Sequence, residues 1–146
     1  VSATGSGGTL AGLIIGNAMH RLGSEVFAFN VCDDEDYFQQ KISDDFKRWQ
    51  QRYDTELDPS TLEINVIDGY VGPGYGKATP EVFMTIHKLA QLEGIVLDPV
   101  YTGKAFHAML QQIDSGRFES MNDIVFIHTG GMLGLFPQKE KLFEAV

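Results

Sequence analysis

The opening segment, "VSATGSGGTLAGLIIGN", sets the strongest limit on what this chain can fold into. A short apolar stretch, Val1 to Ala3, runs directly into Gly5-Ser6-Gly7-Gly8-Thr9, and an apolar pattern of helical period follows. Strand, glycine loop, helix is the basic unit of a parallel α/β fold. A tight turn needs one glycine, and this loop has three, with two hydroxyls beside them. Glycine permits backbone angles and close approaches that a side chain forbids. The first amides of a helix point outward, and the helix dipole adds roughly half a positive charge there. The loop therefore reads as an anion cradle, with Thr9 capping the helix through its hydroxyl. Leu10, Leu13, Ile14 and Ala18 mark the expected buried face, and Gly12 and Gly16 would let the helix approach a sheet closely.

The rest of the chain repeats the alternation. "EVFAFNV", Glu25 to Val31, is a near-continuous apolar run, as in a strand covered on both faces. Asp33-Asp34-Glu35-Asp36 follows. It lacks the glycine of a calcium loop and reads as the capping, dipole-complementing start of a helix over about 34–53. Phe38, Ile42, Phe46 and Trp49 form that helix's core stripe. Asp58-Pro59-Ser60 breaks the chain. Leu62 to Asp68 reads as a third strand, and Gly69 to Pro80 as a glycine-proline loop. Pro80 opens a helix to about Glu93. "GIVLDPVYTGKA" contributes a short strand and a turn, Gly103 to Ile113 a helix, and Gly116-Arg117 a connector. Asn122 to Gly131 reads as a last strand ending in a glycine loop. The expected fold is α/β, an open, mainly parallel sheet with helices on both faces. Its glycine loops gather at the carboxyl edge of the strands, where such sheets bind ligands.

Composition narrows the function. There are 146 residues, enough for one domain, with no internal repeats or low-complexity linkers. The net charge of −9 repels phosphate backbones, which disfavours nucleic acid. An anionic ligand must be held by local donors. No apolar run reaches the length of a membrane span. Cys32 is the single cysteine, so no intrachain disulfide forms, which fits a reducing, cytoplasmic setting. The dinucleotide pattern fails because Leu10 stands where its last glycine belongs, and Gly76-Lys77 and Gly103-Lys104 lack the rest of a P-loop. A small phosphorylated ligand fits better than a nucleoside triphosphate. The four histidines, at 20, 87, 107 and 128, show no metal-ligand spacing, so no metal site is expected. His20 and His87 read as helix-surface residues, and His128 as a mainly structural residue near the site. Tyr75 in "GPGYGKA" and Tyr101 in "LDPVYTGKA" stand on ligand-edge loops, and Thr129 precedes Gly130-Gly131. The tyrosines suit a flat ligand or its reacting atoms, and the Thr129 hydroxyl suits either a ligand acceptor or a turn cap.

"TGSGGTLAG", "GYVGPGYGKATPE", "LDPVYTGKAF" and "FIHTGGMLGLF", in this order, resemble the fold-type II pyridoxal-phosphate enzymes. Within these they resemble the D-cysteine desulfhydrase and 1-aminocyclopropane-1-carboxylate deaminase family. The resemblance implies pyridoxal 5'-phosphate as cofactor, its phosphate held by Gly5, Ser6, Gly7, Gly8 and Thr9 and its pyridine nitrogen by Thr129. It places Tyr75 and Tyr101 on the substrate side. Thr102 joins them as the subfamily marker, because the deaminases carry glutamate after the tyrosine. The implied reaction is β-elimination of a small amino-acid substrate, D-cysteine going to pyruvate, sulfide and ammonia. Cyclopropane deamination and a non-catalytic phosphate-ligand module are the alternatives. The resemblance also implies that the Schiff-base lysine lies in an N-terminal half this chain lacks, making the chain the C-terminal part of the cofactor-binding large domain, inactive alone. Lys77 and Lys104 are then loop or helix-start charges. A homodimer is the family expectation.

Overall fold

A computed structural model describes residues 1–144. Three strands, β1 (Ser2–Thr4), β2 (Phe27–Asn30) and β3 (Asn65–Ile67), form a parallel sheet in the order β1-β2-β3. Thr4 pairs with Asn30, and Phe29 with Ile67. The crossovers are the helices α1 (Gly8–Met19) and α2 (Glu35–Arg52), followed by α3 (Pro80–Glu93), α4 (Thr102–Asp114) and a short α5 (Lys139–Glu144).

The two-residue period of the strands divides the core. Ala28 and Val66 face α1 and α2, where they pack with Leu10, Ile14, Phe38, Ile42 and Phe46. Phe29, Ile67 and Ala3 face the other way, onto Ala105, Ala108 and Met109 of α4. The sheet is thus covered on both faces, and the continuous apolar run of β2 follows from that. Outside α4 lies α3, packed through Val82, Phe83 and Ile86 with Leu97.

Local signals explain most helix ends. Asp34 caps α2, its carboxylate accepting from the Tyr37 amide at 2.8 Å, with Glu35 and Asp36 in the first turn. The acidic run is a helix start. Pro80 opens α3, and Gly94 closes it with φ 68°. The α1 start differs from expectation. Gly7, not Thr9, takes the cap position, at φ 80°, and no side chain caps the helix. Gly12 and Gly16 meet nothing within 4 Å, so they do not serve a close approach to the sheet. The sheet contact is made instead by Leu10, Ala11, Ile14 and Ile15, with Leu13 and Ala18 only half-buried.

The fourth and fifth expected strands are not regular strands. Residues 94–98 have no ladder. Residues 125–127 run beside β1 and make one parallel rung: the Val1 amine donates to the Val125 carbonyl at 2.6 Å, and the Ile127 amide donates to the Val1 carbonyl at 2.9 Å. Beyond that rung the chain departs into the glycine loop. Periodicity reports an extended, half-buried segment, and a strand also needs a partner backbone. A 3₁₀ stretch, Met132–Gln138, then leads into α5.

Candidate functional site

The loops after β1, before α4 and after residue 127 meet at the carboxyl edge of the sheet. They enclose a pocket of about 400 Å³ lined by Ala3, Gly5, Ser6, Thr9, Tyr101, Thr129, Gly130 and Gly131. Five of the nine expected site residues are therefore brought together: Gly5, Ser6, Thr9, Tyr101 and Thr129. No charged side chain lines the pocket, so any anion there is held by neutral dipoles.

The cradle has donors to offer. Among the described residues, no protein acceptor engages the amides of Ser6, Gly7, Gly8, Thr9 or Leu10. The first intrahelical bond runs from the Ala11 amide to the Gly7 carbonyl at 2.9 Å. A helix leaves its first amides unpaired, and of the residues that carry them Ser6 and Thr9 line the pocket while Gly7, Gly8 and Leu10 do not. Because Gly7 is the cap, the Thr9 hydroxyl is not spent on capping, and Thr9 is exposed. The three glycines have different tasks. A Cβ on Gly5 would lie 2.9 Å from Tyr101 Cε1, so Gly5 makes room for the ring that walls the pocket. Gly7 combines φ 80° with a would-be Cβ 3.3 Å from Ile42 Cγ1, so it serves the fold. Gly8 is exposed and open, with only Ser6 Oγ near at 3.9 Å.

Across the pocket, Thr129 is exposed and its position is set by its neighbour. The Gly130 amide donates to His128 Nδ1 at 3.0 Å, which places the imidazole proton on Nε2, and Nε2 donates to the Val96 carbonyl at 3.0 Å. His128 is thus the structural staple of the turn that presents Thr129.

Tyr75 and Tyr101 meet through their phenol oxygens, their rings edge to face with centroids 5.9 Å apart. Tyr101 lines the pocket; Tyr75 is exposed, does not line it, and meets it only through the Tyr101 phenol. The bond to Tyr75, then burial, push the Tyr101 phenol up to about 12. One phenol donates to the other, and the Tyr101 phenol keeps its proton at neutral pH.

Thr102 does not reach the pocket. It is fully buried and its hydroxyl donates to Asp98 Oδ1 at 2.7 Å. The Asp98 carboxylate also accepts from the amides of Val100, Tyr101 and Thr102, at 2.7, 2.8 and 2.8 Å. Asp98 thereby fixes the start of α4 and the backbone of Tyr101. Sequence reasoning passed over Asp98, although aspartate before proline ahead of a helix is a turn signal. Gly131 packs on it, a Cβ there falling 2.7 Å from Asp98 Oδ1.

Lys104 is not a surface charge. It is 1% exposed, and its ammonium donates to the carbonyls of Val71 and Gly74 at 2.6 and 2.9 Å. Burial lowers its pKa. Cys32, behind the cradle, donates its thiol to the Gly5 carbonyl at 3.4 Å, and burial, then Asp33, raise it to about 11. Neither was legible in sequence, since nothing local marks a lysine or cysteine whose surroundings come from distant loops. His87 is half-buried with Nε2 unpartnered among the described residues. His107 bonds Thr85 and Gln111 beside an open groove between α3 and α4.

An unpaired amide row, a wall hydroxyl opposite it and an aromatic pair at the mouth suit a flat phosphorylated ring. Comparison with known proteins supplies a family. The sequence model described as "Pyridoxal-phosphate dependent enzyme" matches residues 1–130. The chain belongs to the pyridoxal-phosphate dependent enzyme family. Pyridoxal 5'-phosphate is accordingly the family's cofactor, and the donor set described above fits its phosphate. A Thermotoga maritima relative, provisionally named a 1-aminocyclopropane-1-carboxylate deaminase, is 38% identical over 143 residues, covering 97% of this chain and 44% of that protein. An Arabidopsis thaliana relative, named a bifunctional, mitochondrial D-cysteine desulfhydrase/1-aminocyclopropane-1-carboxylate deaminase, is 37% identical over 145 residues, covering 97% of this chain and 34% of its own length. The crystal structure of an ACC deaminase homologue superposes with TM-score 0.84 at 35% identity, over 100% of this chain and 43% of the other. The fold is thus that of this pyridoxal-phosphate group, and the chain spans less than half the length of the relatives it matches. Among the described residues no helix is long and apolar enough to cross a membrane.

Proposed function

We propose that this chain is the C-terminal, cofactor-binding part of a pyridoxal-phosphate dependent lyase that expels sulfide from a small sulfur amino acid, D-cysteine first. The observation that carries this reading is the pocket where Ser6 and Thr9, from the stretch of unpaired amides at the start of α1, converge with Thr129 and Tyr101. Bound pyridoxal 5'-phosphate supplies the electron sink that makes an amino acid's α-proton removable. The loop amides, with the Ser6 and Thr9 hydroxyls, hold the phosphate. Thr129 donates to the pyridine nitrogen. A hydroxyl is a neutral partner, and it leaves the ring a weaker sink than a carboxylate would. That suits an elimination, because the departing sulfide carries negative charge away. Tyr101 stands at the pocket wall with its proton held, as its raised pKa favours, and Tyr75 hydrogen-bonds its phenol. We assign proton delivery on the substrate side to Tyr101. In balance, D-cysteine and water give pyruvate, ammonia and hydrogen sulfide.

The desulfhydrase side is favoured by position 102. Thr102 Oγ1 lies 2.7 Å from the buried Asp98 carboxylate. A glutamate there, as in the deaminases, would repel Asp98 and turn its carboxylate elsewhere. With Thr102 the network closes on itself, and no acid from this position reaches the substrate.

The Schiff-base lysine belongs to an N-terminal half, and the working unit is a cytoplasmic homodimer of the two halves together. The test is to co-express this chain with the lysine-bearing half and supply D-cysteine and 1-aminocyclopropane-1-carboxylate in parallel. Sulfide and pyruvate from D-cysteine, faster than ring opening, are expected. Faster ring opening refutes the specificity, and no product from a folded, cofactor-loaded complex refutes the lyase.

A further inference from the structure

The loop that carries Tyr75 has little reason of its own to hold one shape. Gly69, Gly72, Gly74 and Gly76 all sit at positive φ, at 96°, 68°, 134° and 74°. Such a run has many accessible backbone states to lose on ordering. Yet Tyr75 must be placed to reach the Tyr101 phenol. At its start the loop is fixed by the Gly69 amide on Asp68 Oδ1, and at its end by Gln138 Nε2 on the Gly76 carbonyl at 3.2 Å. Within the loop the Lys77 amide donates to the Gly74 carbonyl at 3.2 Å, Tyr70 is anchored by Gln112 Nε2 at 2.6 Å, and Lys104 is the side chain that grips the backbone of its middle. The ammonium sits behind the loop and donates to Val71 O and Gly74 O, on both sides of the Gly72-Pro73 turn. No ion pair within 4 Å involves Lys104 among the described residues. A buried cation that lacks a carboxylate is costly unless its hydrogen bonds are made well. The backbone of Lys104, two residues into α4, stands three positions after Tyr101. The same short stretch therefore carries one phenol and pins the loop that carries the other.

We propose that Lys104 is a positioning residue, which holds the Gly69–Lys77 loop so that the Tyr75 phenol meets and hydrogen-bonds the Tyr101 phenol. The inference rests on the tyrosine pair being the substrate-side apparatus of the proposed lyase, but its test does not need the cofactor.

The charge of Lys104 and its grip on the loop predict opposite shifts. A nearby cation favours phenolate, so loss of the charge alone moves the Tyr101 titration up. Loss of the grip releases Tyr75, removes the bond that raises Tyr101, and moves the titration down toward the ordinary value of about 10. Lys104→Met keeps the length of the stem and removes the donors. With the 146-residue chain labelled at tyrosine Cζ, carbon NMR follows each phenol from pH 8 to pH 11. Wild-type Tyr101 is expected to remain a phenol throughout. Lys104→Met and Tyr75→Phe are each expected to bring its titration into that range, and the double variant to add nothing further. Hydrogen exchange of loop amides 69–77 is expected to quicken about tenfold or more in Lys104→Met only. If Lys104→Met fails to unfold cooperatively, Lys104→Gln, which keeps one donor, is expected to show the same downward shift at smaller size. An unchanged or upward shift in a folded variant, or additive effects in the double variant, overturns the proposal. Retained pyridoxal 5'-phosphate binding in that case leaves the lyase reading standing, so the two failures are separable.

Discussion

Neighbouring glycines in the cradle loop separate fold from function, and Gly7→Ala against Gly8→Ala measures the division. Gly7 holds φ 80°, where an L-residue pays about 1–2 kcal/mol. Its new methyl would sit 3.3 Å from Ile42 Cγ1, closer than ordinary van der Waals contact, and crowding there adds about 1 kcal/mol. Alanine returns about 0.4–1 kcal/mol by restricting the unfolded chain. The net loss is about 1–2 kcal/mol, or a fall of roughly 2–8 °C in Tm for a chain of this size. Gly8 has ordinary helical angles and open space, so Gly8→Ala is expected to leave stability unchanged or raise it by less than about 1 kcal/mol. Urea unfolding followed through Trp49, the single tryptophan, reads both, since Trp49 packs against the α1–α2 core. Equal stability of the two variants, or a more damaged Gly8→Ala, would refute the placement of Gly7 as the cap. Gly7→Val is expected to lose more stability than Gly7→Ala. A β-branched residue at that φ and distance damages the core first.

Three further outcomes follow. Cys32, raised to about 11, is expected to react with iodoacetamide at pH 8 roughly a hundredfold more slowly than an ordinary thiol, and the speed of an ordinary thiol in the folded chain would contradict its placement against Gly5. His107 has its pKa lowered, mainly by burial, so the unfolded chain binds a proton that the folded chain resists. Its contribution is complete above about pH 6.5 and is lost as pH falls below that value, so His107→Gln should flatten the stability profile between pH 7 and pH 5. Asp98→Ala strands three amides and the Thr102 hydroxyl and is expected to cost about 3 kcal/mol or more in chemical denaturation, well above the typical surface change.

What the sequence made legible was local. The acidic run at 33–36 read correctly as a helix start because an Asp cap and its target amide lie three residues apart. The Phe38, Ile42, Phe46 and Trp49 stripe read correctly because one helix face is a matter of period. The parallel α/β class followed from alternation, and the shared location of the glycine loops followed from the class. Less legible was anything set by distant chain. Residues 94–98 and 125–127 have strand-like patterns, but ladder pairing depends on which backbone lies opposite. Lys104 was taken for a charge at a helix start, and its burial comes from a loop some thirty residues away. Thr102 was grouped with the two tyrosines as the subfamily marker, and its hydroxyl closes a network around Asp98, four residues back. The Thr9 cap was misassigned because a glycine in the left-handed region can end a turn without any side-chain bond.

Titration of the ¹⁵N-labelled chain with pyridoxal 5'-phosphate, and with inorganic phosphate alongside, tests the cradle most directly. Saturable amide shifts confined to Ser6 to Leu10 with either ligand, and extended to Thr129 with the coenzyme alone, are the expected result. Shifts that leave those amides untouched while appearing elsewhere on the folded chain would contradict the account.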